Sequence, residues 1–158
     1  MSPPVNKPFG TAGIEISATD SAFCASAAPK TGDIYVLSKQ VSGPSSVYRI
    51  KAVFGGAETQ KAQPLGEISM PAIPNGLLTG GDISPDGRRV VVCDYGRAYE
   101  MVLPENLTEF DEIWKQAPRP IELGKRKNGE SIGYSADGTS IYATSEGKGS
   151  PIIEVRRK

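Results

Sequence analysis

Three stretches of this chain repeat one strand–turn–strand pattern, and that repetition limits the fold more than any other feature. They are residues 27–37, 83–93 and 134–144. In each, a run of small residues leads into a turn. The turn then leads into a β-branched or aromatic run: Ile34-Tyr35-Val36, Val90-Val91-Val92 and Ile141-Tyr142-Ala143. The turns read Pro29-Lys30-Thr31-Gly32, Pro85-Asp86-Gly87 and Ala136-Asp137-Gly138. Proline presets φ at one corner, Asp or Thr bonds its own backbone, and glycine accepts positive φ. Asp-Gly between two strand-like runs is a strong hairpin signal. Aligning Pro29, Pro85 and Ala136 gives periods of 56 and 51 residues. These lie near the ~40–50 residues of a four-stranded propeller blade.

Each repeat continues with a third strand, at 46–51, 97–103 and 151–156. Alternating polar and apolar residues in the first two suit a half-exposed strand. Fourth strands follow near 64–69 and 120–123, whereas the third repeat has none of its own. The lone strand Gly13-Ile14-Glu15-Ile16-Ser17 is expected to pair into that last blade, closing a ring or a dimer. The expected fold is therefore all-β, with about three four-stranded propeller blades, at roughly 20–70, 76–124 and 128–158, the last completed by 13–17. Residues 1–12, with Pro3, Pro4 and Pro8, read as an extended leader. One short helical insertion breaks the pattern, because Leu107, Phe110, Ile113 and Trp114 recur at helical spacing across 106–116. Glu105, Glu109 and Asp111 at its start and Lys115 at its end complement the helix dipole. Asn106 reads as its N-cap, and its apolar stripe is expected to pack on the blade.

Eighteen basic residues balance eighteen acidic ones. The charge excess expected of a nucleic-acid binder is missing, as is a basic amphipathic helix for a membrane surface. No apolar run approaches the ~20 residues that span a bilayer. The N-terminus has no apolar h-region, so the expected location is cytoplasmic, or extracytoplasmic if the chain belongs to a longer secreted protein. Cys24 and Cys93 lie in different repeats and read as two buried free thiols, with one long-range disulfide as the alternative. The absence of histidine removes Ser-His-Asp and Cys-His catalysis and Cys/His zinc sites. Lys125-Arg126-Lys127 reads as a solvated turn.

The turns at 82–88 and 136–139, each followed by a strand, resemble TolB-like and YVTN-like bacterial propeller repeats. The resemblance extends to Thr79-Gly80-Gly81-Asp82 with Tyr95-Gly96-Arg97-Ala98-Tyr99-Glu100, and to Gly129-Glu130-Ser131-Ile132 with Ser145-Glu146-Gly147-Lys148-Gly149-Ser150-Pro151. These runs are similar to the C-terminal half of bacterial propeller proteins roughly twice this length, since rings need four to eight blades. The resemblance implies that three blades leave faces uncovered, exposing large apolar patches. A homodimer completing a six-bladed ring is the expected remedy.

Carboxylates remain as candidates for chemistry. Glu130 opens the innermost strand of the third repeat, and Thr79 and Phe23 hold the aligned places. Asp82 lies on the same strand of the second repeat, while Asp94, Glu100 and Glu146 fall at strand ends or on loops. The run Asp94-Tyr95-Gly96-Arg97-Ala98-Tyr99-Glu100 reads as a structural hairpin, with a ligand-contacting rim loop as the sharper alternative. The candidate ligand-binding residues are thus Asp82, Asp94, Arg97, Glu100, Glu130 and Glu146, with no catalytic residue assigned. Oxygens of this kind can hold Ca²⁺, or they can tie blades together and cap turns. The expected function is a scaffold binding a protein or small-molecule ligand, without a cofactor. The alternative is a Ca²⁺-dependent propeller hydrolase of the phytase-like or lactonase-like kind.

Overall fold

A computed structural model describes residues 14–15, 21–40, 43–53, 59–70 and 77–157. The leader at 1–12 lies outside the described residues. The chain begins with β1 (Ile14–Glu15) and then β2 (Ser21–Ala27), β3 (Ile34–Lys39) and β4 (Ser45–Ile50). The short β5 (Gln60–Lys61) precedes β6 (Gln63–Ile68). Next come β7 (Leu78–Ile83), β8 (Arg89–Asp94) and β9 (Ala98–Val102), a 3₁₀ helix (Phe110–Lys115) and β10 (Arg119–Ile121). The chain finishes with β11 (Gly129–Tyr134), β12 (Ser140–Ser145) and β13 (Ile153–Arg156). These strands form three antiparallel blades, β2-β3-β4-β6, β7-β8-β9-β10 and β11-β12-β13. The innermost strands lie side by side, with β7 between β2 and β11. The fold is all-β, three propeller blades with one short helical insertion.

The repeated turns close in nearly the same way. Ser84 N–H donates to Arg89 O, and Ser135 N–H to Ser140 O, each at 2.9 Å. Gly87 N–H reaches Ser84 O and Gly138 N–H reaches Ser135 O, each at 2.8 Å. Both glycines sit at positive φ, +65° and +70°, where a Cβ is strained. The first blade keeps the span, Ala28 N–H to Asp33 O at 2.8 Å, but its glycine comes one residue later, at Gly32. The turns also stack in order. Gly87 abuts Pro29 and Lys30 of the first blade, and Gly138 abuts Pro85 and Arg89 of the second. All three turns therefore share one rim.

Packing explains the uninterrupted apolar run of β8. The second blade is the middle of the stack, so both of its faces are covered. Val90 and Val92 join Tyr35, Leu37, Val47 and Leu78 in the core between the first two blades. Val91 and Cys93, which point the other way, join Ile132, Ile141 and Ala143 between the second and third. All four are at most 1% exposed. At ~25 cal/mol per Å² of apolar surface, each such side chain contributes about 2 kcal/mol to holding the blades together.

Three expectations need correction. The helical insertion is a 3₁₀ turn over Phe110–Lys115, and Asn106 is not its cap. Leu107 N–H bonds Pro104 O in a turn, and the Arg88 guanidinium takes the carbonyls of Leu103, Pro104 and Leu107. Those carbonyls are thus withdrawn from any helical ladder. The insertion wedges between blades: Phe110 and Trp114 pack on Tyr35 at ring-centroid distances of 4.9 and 5.7 Å, and Asp111 pairs with Arg49 at 2.6 Å.

The N-terminal strand does not complete the third blade. Ile14 and Glu15 pair in parallel with Gln60 and Lys61, beside their own blade. The second blade stands between that position and β13, which a strand lying just before β2 does not span. Gly13, Ile16 and Ser17 lie outside the described residues.

The large apolar patches are also missing among the described residues. On the first blade Val36, Tyr48 and Ile50 are buried with Ile34 and Ala62 packed against them. The free face of the third blade carries Ser140, Tyr142, Glu154 and Arg156. Among the described residues the exposed large hydrophobics are Val53, Tyr142 and Ile152, scattered singly. Among the described residues, therefore, no large apolar face is left for a second copy to cover. Cys93, as expected, is a buried free thiol, pushed up in pKa by its burial. The side chain of Cys24 lies outside the described residues.

Candidate functional site

The inner strands carry Ser26, Asp82 and Gly133 at one repeat position. Asp82 uses both oxygens there. Oδ1 accepts the Ser26 hydroxyl at 3.0 Å and its neighbour's Ile83 N–H at 2.9 Å. Oδ2 accepts Tyr134 N–H at 2.9 Å. One carboxylate thus links all three blades, and the glycine makes room for it, since a Cβ on Gly133 would sit 3.3 Å from Oδ2. Thr79 adds a second link, its hydroxyl donating to Gly129 O at 2.6 Å.

Glu100 is spent in the same manner. It accepts the Tyr134 hydroxyl at 2.8 Å and lies 3.5 Å from Arg157. Burial first, then the charge of Glu100, push the Tyr134 phenol far above its ordinary pKa, so it stays a donor. Asp94 is buried and shapes the β8–β9 turn, accepting Gly96 and Arg97 N–H groups at 2.6 Å each. Arg97 borders a cleft of about 450 Å³ against β10. Glu130 is half-buried on β11, where its carbonyl would sit 3.2 Å from a Cβ on Gly80. Glu146 is exposed and lies apart from these, with its N–H bonded to Asn128 O at 2.9 Å. The six candidates are thus distributed over blade junctions, a turn and a rim loop. Among the described residues no three Asp, Glu or Cys gather as metal ligands do.

A different constellation forms at the rim opposite the repeated turns. Strands β11 and β12 are antiparallel with Gly129 opposite Ser145, so the loop entering β11 meets the loop leaving β12. That brings Lys125, Arg126 and Lys127 to Lys148 and Glu146 around an open cleft of about 440 Å³. The three lysines are exposed, and none has an ion-pair partner among the described residues. Arg126 is held deeper. Its Nη2 donates to Asp94 O at 3.0 Å and Arg97 O at 3.2 Å, and Nη1 lies 3.5 Å from Thr144 O. Its partners are carbonyls, so its positive charge is not neutralised by a carboxylate. Four cations therefore face a cleft with Glu146 as its acidic lining residue. Such a predominantly cationic concavity focuses field on an approaching anion.

Glu146 was visible as a candidate, but its cationic surroundings were missed. The solvated-turn reading of Lys125-Arg126-Lys127 considered that run alone, and Lys148 sits twenty-one residues past Lys127 between two glycines. The usable signal was the hairpin itself: the start of one antiparallel strand and the end of the next share a rim.

No protein-family model and no curated protein matches this sequence. Among solved structures 33 chains match the fold. One is Kuenenia stuttgartiensis hydrazine synthase, aligned over 86% of this chain with a TM-score of 0.53 and 14% identity. At that identity the likeness concerns fold alone. The chain spans 34% of that protein's length.

Proposed function

We propose that this chain is a blade-repeat scaffold that binds a small anionic ligand, bearing phosphate or carboxylate groups, at the rim cleft between its second and third blades. The observation that carries the reading is the gathering of Lys125, Arg126, Lys127 and Lys148 around a cleft whose acidic lining residue is Glu146. The chain as a whole is neutral, so this is a local concentration rather than a general excess. Ammonium and guanidinium groups bond such anions through charge-assisted hydrogen bonds. The resemblance of the turns to TolB-like and YVTN-like repeats supports the scaffold part of the reading.

Titration of the full chain with inorganic pyrophosphate, followed by backbone amide NMR, tests it. The expected result is saturable shifts at Gly147, Lys148 and Gly149, weakened at least ~10-fold in Lys125→Glu/Lys148→Glu and weakened by added salt. Shifts that are absent, or indifferent to the reversal, overturn it. Calcium enters the same series. A Ca²⁺-dependent rise in melting temperature that EDTA reverses would replace this reading with the hydrolase alternative.

A further inference from the structure

The rim cleft contains one residue that a site for a plain anion would lack. Glu146 lines it among four cations, and a carboxylate there repels whatever anion the cations attract. Among the described residues that carboxylate makes no ion pair and accepts no hydrogen bond. Its place is set by the backbone instead. Glu146 N–H donates to Asn128 O at 2.9 Å, and Glu146 O accepts the Ser150 hydroxyl at 3.0 Å. An acceptor is thus positioned at the opening without being used by the fold. The cleft is also larger than a phosphate group needs. Its volume of about 440 Å³ lies within the ~300–1,000 Å³ range of sites for whole small molecules. Pro151 and Ile153 line it too, offering apolar surface to a carbon skeleton.

We infer that the cleft takes a phosphomonoester of a polyol, with its phosphate on the lysines and one hydroxyl donating to Glu146. This rests on the reading of the cleft as an anion site and names the class of anion. Lys125, Lys127 and Lys148 supply ammonium donors for a phosphate dianion. The carbon skeleton lies against Pro151 and Ile153. A hydroxyl donating to the Glu146 carboxylate makes a charge-assisted hydrogen bond, which offsets the repulsion between carboxylate and phosphate. The side-chain amide of Asn128, also in the lining, can serve a second hydroxyl as donor or acceptor. Asn128 stands at φ +54°, a left-handed conformation that asparagine tolerates better than most residues other than glycine. An anion without hydroxyls leaves Glu146 unmatched, and is the poorer ligand for that reason.

Calorimetric titration of the full chain with inositol monophosphate and with cyclohexyl phosphate tests this, since the two share ring and phosphate and differ in hydroxyls. Inositol monophosphate should bind at least ~10-fold more tightly. Glu146→Ala should shrink that preference below ~3-fold, weakening inositol monophosphate while tightening pyrophosphate, because the hydroxyl acceptor and the repelling charge are lost together. The Glu146 side chain makes no contact that holds the blades, so the variant should keep the wild-type melting temperature. The same chemistry occurs in a free sugar phosphate and in a phosphoinositide headgroup. Co-sedimentation with phosphatidylcholine vesicles carrying a phosphatidylinositol phosphate would identify the headgroup source, and its absence the free one. Pyrophosphate separates the two ways of failing. If it does not bind, the anion reading falls and this inference with it. If it binds while the wild type treats the two esters alike, the inference alone is overturned. The same holds if Glu146→Ala moves inositol monophosphate and pyrophosphate in the same direction.

Discussion

The two rims of this molecule use polar residues in opposite ways. On the turn rim Asp86, Arg88, Arg89 and Asp137 all have work within the fold. Asp86 accepts from the Ser84 hydroxyl and Arg88 N–H, and Asp137 accepts from Ser135, Thr139 N–H and the Thr139 hydroxyl. Arg89 spans to the third blade, reaching Gly138 O at 3.2 Å and lying 5.6 Å from the Tyr134 ring centre. On the opposite rim Lys125, Lys127 and Lys148 line a cleft without a carboxylate partner of their own among the described residues. Polar groups that satisfy one another hold blades in place. Polar groups left facing an opening are free to meet something else.

The sharpest way to break this contrast is to remove Asp82, just inside the turn rim. Asp82→Ala strips acceptors from the Ser26 hydroxyl and from the Ile83 and Tyr134 N–H groups at once. Hydrogen bonds to a charged group contribute about 1.5–3 kcal/mol each, and orphaned donors add cost. A loss of about 3 kcal/mol in urea unfolding is expected. A loss below ~1 kcal/mol would mean the inter-blade carboxylate does not hold the stack.

The turn rim was the legible part of this chain, for a physical reason. Pro, Asp and Gly act on their own backbone, so Pro85-Asp86-Gly87 and Ala136-Asp137-Gly138 announce their conformation locally. The Val90–Cys93 run likewise gave its strand away, although not that it would be buried on both faces. Asp82 was recognised as a candidate on the right strand, and its bland role as an inter-blade tie matches the geometry. Two of its three donors, Ser26 and Tyr134, come from other blades, and no local rule names them. The short helical insertion was foreseen, but its extent was overread because Leu107, Phe110, Ile113 and Trp114 do recur at helical spacing. The Arg88 guanidinium, distant in sequence, takes the carbonyls that an α-helix would have used. The cationic cleft was hidden for a similar reason, since a charge run has no meaning until the chain folds back on it.

Acid provides a smaller perturbation of the turn rim. Hydrogen bonds from the Ser135 hydroxyl, then from Thr139, hold Asp137 down at a pKa of about 2. Burial works against the charge of Asp86, yet the Ser84 hydroxyl, Arg88 N–H and the nearby arginines outweigh it and keep its pKa below the ordinary value. Unfolded aspartate titrates near ~3.9. A carboxyl with a depressed folded pKa contributes stability fully above the unfolded value, and that contribution fades as pH falls through the folded one. The urea midpoint should therefore drop between about pH 4 and pH 2. Asp137→Asn should flatten part of that drop. An unchanged slope in this variant would mean the turn carboxylate is not linked to folding.

The smallest effect on stability belongs to the opposite rim, and its smallness is the point. Lys125→Glu and Lys148→Glu each alter an exposed side chain that carries no contact holding the blades, so each should change unfolding free energy by no more than ~0.5 kcal/mol. At low salt the sign should be slightly favourable, because each reversal removes repulsion among cations that share the cleft. Added salt should erase it, since exposed charges are screened beyond ~10 Å at 0.1 M. Arg126→Ala should behave differently from its neighbours, because its guanidinium joins Asp94 O and Arg97 O to the third blade. If the lysine reversals instead cost as much as losing Arg126, the lysines too are fastenings. The two rims would then differ in sequence but not in use.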